Sequence, residues 1–163
     1  MTISRAAKII MVLALSALGL LVMFNNITDY NSNYQFVQHV LSMDTTFPDN
    51  VAMYRAITSP TLWTLGYWGI IAGEGLTGLL LLIGAVRMWG ARAAAPAVFD
   101  DAKDMVIAGA TLGFLVWFGG FMVVGGEWFL MWQSDTWNGQ DAAFRFYLSM
   151  LAVLIFVNQP ERR

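Results

Sequence analysis

Very few residues in this chain have the type and spacing to do chemistry. The two that stand out are acids, Glu74 and Glu127, each set in a long apolar run, with Arg145 a short distance after the second. A carboxyl group in lipid is costly. It marks a proton or cation station, or a group that pins helices together. Glu74 falls near the middle of its run with no cationic partner for it in any span, and its plainer reading is a carboxylic acid hydrogen-bonded to a neighbouring helix. Glu127 falls near the outer end of its run and Arg145 at similar depth at the start of the next, so a Glu127–Arg145 ion pair pinning two helices is expected. A relay through both acids would also need a wet path, for which Ser16, Asn25, Asn26, Thr77 and Ser149 are the available side chains.

Catalytic sets are missing from the sequence. With no Cys there is no disulfide framework, thiolate metal site or redox pair, and the single His39 cannot build a bis-histidine haem or a multi-histidine metal site within one chain. A lone histidine on an outer amphipathic helix reads first as a surface residue. No serine elbow, zinc-helix motif, phosphate loop or nucleotide fingerprint occurs. The expectation is a protein that is not an enzyme, with no cofactor, no metal and no nucleic-acid partner. Its surroundings would be the lipid bilayer and, beyond it, other membrane subunits or further copies of itself.

The elements that must position these residues are set by composition. The chain has 163 residues, 58% of them hydrophobic and 12% charged, with mean hydropathy +0.58. Soluble chains carry about 25% charged residues, so this is an integral membrane protein. Four runs reach the roughly 20 residues a spanning helix needs, near 6–24, 62–86, 104–131 and 141–157. They lack the strict alternation of barrel strands, and an all-α, four-span bundle follows as a single domain.

If the amino terminus is cytoplasmic, Arg5, Lys8, Arg87, Arg92, Lys103, Arg162 and Arg163 lie inside and only Arg55 and Arg145 outside. That asymmetry puts both termini in the cytoplasm. The first run resembles a signal peptide, but no convincing small-x-small cleavage site precedes Asn25, so a retained anchor is expected.

Segment 25–60 forms an outer cap. Phe36, Val37, Val40 and Leu41 recur at helical spacing, and Asp49 after Pro48 opens a second short helix through Ile57. Ser59 and Pro60 start span two. At 100° per residue Gly66, Gly69, Gly73, Thr77 and Gly84 share about 80° of arc, and in span three Gly113, Val116, Gly120 and Glu127 all lie within about 40° of the direction of Gly109. Such small-residue stripes let helices approach closely in lipid, so Glu127 should point into the bundle. The inner loop 87–103 carries acids that would cap span three. Trp128, Trp132 and Trp137 read as an interfacial belt near which a lipid or quinone could lie, and Asn138-Gly139 with Asp141 reads as a turn and cap before span four.

The strings FNNITDYNSNYQFVQHVLSMDTTFP, YRAITSP, GGEWFLMWQSDTWNGQDAAFRF and FVNQP resemble an uncharacterised family of predicted small integral membrane proteins, domain of unknown function 2165. Tyr54 stands where Trp would be expected in the second string. The resemblance spans nearly the whole chain. It implies a four-span protein of the bacterial cytoplasmic membrane and brings no activity with it.

Overall fold

A computed structural model describes residues 2–161, and every regular element in it is helical. Four helices are long and apolar enough to cross a bilayer. They begin with α1 (Ile3–Thr28), followed after Asp29 by the cap helix α2 (Tyr30–Ser42). The second span is α3 (Pro60–Gly90), 31 residues or about 46 Å long against a hydrocarbon core of about 30 Å. The third is compound: a short α4 (Pro96–Asp101), then α5 (Asp104–Phe114), which runs on as a π-helix over Leu115–Trp128. The fourth is α6 (Gln140–Asn158). Arg162 and Arg163, counted above on the inner side, lie outside the described residues.

α3 is the central helix, and a seven-residue repeat explains why. Its buried residues include Tyr67, Glu74, Leu81 and Met88 in one row and Ile71, Gly78 and Ala85 in another. On α1 the row Arg5, Val12, Gly19 and Asn26 is buried with the same period. Two antiparallel helices with matched seven-residue rows pack knobs into holes along their length. At their crossing side-chain bulk vanishes: a methyl group at Gly19 would stand 3.1 Å from the Gly78 Cα, and one at Gly78 would stand 2.8 Å from the Leu20 amide nitrogen. There the Ser16 hydroxyl donates to the Gly78 carbonyl at 2.8 Å. On the other side of α3, Gly109 packs against Leu81 and Gly84 against Val106, joining α3 to α5.

Three local expectations are corrected. Asp49 does not open a second cap helix: its φ is 62°, in the left-handed region, and only a single tight turn over Met53–Arg55 follows. The hydroxyl of Ser59 does not cap α3. Of the inner-loop acids only Asp104 stands in the first turn of α5, and none caps it by a side-chain hydrogen bond; Lys103 occupies the N-terminal boundary and bonds Asp100.

Candidate functional site

Glu74 lies about 21 Å along α3 from its outer start, close to mid-helix, and is 2% exposed. Its Oε2 accepts a 2.6 Å hydrogen bond from the side-chain amide of Asn26, which the seven-residue row of α1 brings opposite it. Two turns toward the cap, Tyr67 donates its hydroxyl to the backbone carbonyl of Asn26 at 2.7 Å. Tyr67 is roofed by the rings of Tyr30 and Tyr34 on α2, 4.9 and 6.1 Å away. The Thr77 hydroxyl, one turn inward from Glu74, is buried without a hydrogen-bond partner. This polar pocket ties α1 to α3, and Tyr67 was its unforeseen member. Among the proposed path residues, Asn26 joins Glu74, Ser16 serves the helix crossing, and Asn25 and Ser149 are exposed.

Glu127 and Arg145 are both exposed, and no ion pair joins them among the described residues. The cause is the π-helix. Its i→i+5 bonding turns each residue through less than 100°, so a stripe extrapolated at α-helical pitch drifts off its face. The drift is visible residue by residue. Gly109 and Gly113 are buried against α3 and α6, Val116 still meets Gly73, and Gly120 and Glu127 are out on the surface. Gly125 and Gly126 have rotated inward instead, toward Met131 and Gln140.

The same drift opens a cleft. A methyl group at Gly73 would stand 2.6 Å from Val116, the outermost tight contact between α3 and the third span, whereas one at Gly69 or Gly120 would meet nothing within 4 Å. Above that point the helices diverge around an apolar cavity of about 210 Å³, walled by Gly66, Ile70, Gly120 and Val124 and roofed by Val37 and Leu41 of α2. Of the expected packing glycines, Gly73, Gly109 and Gly113 are used between spans, Gly66 faces Leu41 and Val37 of the cap, and Gly69 and Gly120 stay open.

The outer cap is locked to the turn before α6. Thr45 bonds Ser134, and both Phe47 and Asn50 donate to the Gln133 side chain. His39 is stacked on Trp137 at 4.6 Å and bonded to Asp44 at 2.9 Å. Trp137 therefore packs the cap, while Trp128 and Trp132 are about half exposed, as a belt requires.

At the opposite end three cations are buried. Arg5 meets Glu161 at 3.0 Å and the carbonyls of Arg92 and Ala94; Lys8 meets Glu161 at 2.8 Å and the Gln159 carbonyl; Lys103 meets Asp100 and the same Gln159 carbonyl. Phe99, fully buried, lies under the Arg5 guanidinium at 4.5 Å. Burial alone would raise the Glu161 carboxyl, but the hydrogen bonds and charges of Lys8 and Arg5 outweigh it and hold it below the usual glutamate value.

Residues 4–160 match the family model described as predicted small integral membrane protein, domain of unknown function 2165. The chain belongs to that family. No curated protein and no solved structure matches this member of it.

Proposed function

We propose that this family member is a non-enzymatic accessory subunit of the bacterial cytoplasmic membrane, with both termini inside, and that it docks an apolar helix of another membrane protein. The observation that carries this reading is the outer cleft between α3 and the π-helix, where Gly120 is open and Gly66, beneath Val37 and Leu41 of the cap, adds no side-chain bulk. Close helix approach is how association is gained in lipid, and bare positions already used inside the bundle at Gly19, Gly78 and Gly109 show what such a surface does when covered. A cavity of about 210 Å³ takes the side chains of a helix lying across it.

Because the chain has no cysteine, single probes are clean. Gly120→Cys carrying a short photo-crosslinker in native membranes should give one discrete protein adduct, and Leu79→Cys on an exposed face should give none. Identical adduct patterns at the two sites, or lipid adducts alone, would overturn the docking reading.

The alternative, proton or cation passage through Glu74 and Glu127, draws support from one observation, the burial of a carboxyl near mid-helix. Glu127 lies on the exposed surface rather than in line with it. A Glu74→Gln protein with unaltered ion flux after reconstitution would dispose of this alternative.

A further inference from the structure

At the inner end of the bundle, beside the buried cations, lies a polar cavity of about 340 Å³ lined by Thr2, Ser4, Lys8, Gln159, Pro160 and Glu161. We propose that this cavity is a binding site for a phosphate group, supplied by an anionic lipid headgroup or by a free phosphate, in which the Glu161 carboxylate is the resident competitor. Docking in the outer cleft has no part in the argument.

Charge comes first. Among the described residues Arg5, Lys8 and Lys103 are 7%, 2% and 3% exposed, and the carboxylates bonded to them are those of Glu161 and Asp100. Among the described residues these three buried cations face two carboxylates, and a desolvated charge gains most from a further counter-ion. Donors come next. The Lys8 ammonium carries three protons and spends two, on the Gln159 carbonyl and on Glu161, while its side chain lines the cavity.

The first turn of α1 forms another wall. The Arg5 amide is taken by the Thr2 hydroxyl and the Ala6 amide by the Thr2 carbonyl, but the amides of Ile3 and Ser4 have no backbone or side-chain acceptor among the described residues. Free amides and the positive end of a 26-residue helix favour an anion at that place.

Glu161 already demonstrates the recognition: Oε1 receives Lys8 and Oε2 receives Arg5, the two-point arrangement that two phosphate oxygens would take. It is carried on backbone that follows the end of α6 at Asn158, beyond Pro160, so no helix of its own fixes it. An incoming phosphate displaces the carboxylate from one or both cations without unwinding a span.

The test uses the full chain in nanodiscs and in detergent. Retention of phosphatidylglycerol against phosphatidylcholine is read by native mass spectrometry, and inorganic phosphate and glycerol 3-phosphate are titrated calorimetrically. Ser4 is exposed, so Ser4→Glu folds, and it should weaken anion binding by about fivefold or more, the weight of one charge near a membrane surface. Glu161→Gln should tighten binding. Arg87→Gln makes the same change in net charge as Ser4→Glu, but on the exposed last turn of α3, and should leave binding unaltered. Preference for phosphatidylglycerol identifies a headgroup as the source, and equal binding of the soluble phosphates identifies the free ion. Equal losses in Ser4→Glu and Arg87→Gln, no tightening in Glu161→Gln, or no binding of any of these probes would overturn the site.

Discussion

Replacing Glu74 separates the roles its carboxyl is able to play. Glutamine keeps an oxygen to accept the Asn26 amide, so Glu74→Gln should unfold within about 0.5 kcal/mol of the parent in mixed micelles. Glu74→Ala strands that amide in a buried site and should cost about 1–3 kcal/mol. A large loss in the glutamine variant would mean that the negative charge itself is required.

A second residue-scale prediction concerns pH. Glu161 titrates below its ordinary value of 4.5 when folded, because Lys8 and Arg5 hold the ionised form, with Lys103 and Asp100 close by. A group depressed on folding stabilises fully above the unfolded value and loses that contribution as pH falls through the folded one. Thermal stability should therefore be flat from neutrality to about pH 4.5 and then decline, and the decline should shrink in Glu161→Gln.

At the scale of elements, glycines that look alike in sequence divide into two classes. A methyl group at Gly78 runs into the backbone of Leu20, which cannot swing aside, so Gly78→Ala should destabilise by about 1–3 kcal/mol. Gly69 meets nothing, and Gly69→Ala should be neutral or stabilise by up to about 1 kcal/mol through helix propensity, as chemical unfolding will show.

The division also marks what the sequence could tell. The four spans and the helix through Phe36, Val37, Val40 and Leu41 were legible because apolar length and periodicity are properties of single segments. The seven-residue rows of α1 and α3, with Asn26 and Glu74 both on them, are equally present in the sequence, beside the more conspicuous stripe of glycines. The direction of Glu127 was not legible at all. Nothing in an apolar run announces a switch from α to π pitch, and one change of pitch between Phe114 and Leu115 re-aims everything beyond it. The ion pair with Arg145 failed for that reason, and the open cleft arises from the same cause.

At the scale of the whole molecule, α1 and the segment after α6 meet at one end, while the cap and the turn before α6 meet at the other. The cytoplasmic placing of the first end proposed above rests on its excess of Lys and Arg and the positive-inside rule. Asp135→Cys should then react with an impermeant maleimide in intact cells. Ser4→Cys should react only after the membrane is opened; both positions are exposed. The reverse pattern would invert the protein in its membrane and move the phosphate site to the other leaflet.

The clasp between Arg5, Lys8 and Glu161 spans 156 and 153 residues of chain. During synthesis the earliest cations leave the ribosome long before their carboxylate exists, and they must wait in a nascent chain as unanswered charges. The arrival of Glu161 is what answers them, so the contact that closes this end of the bundle is among the last the chain can make.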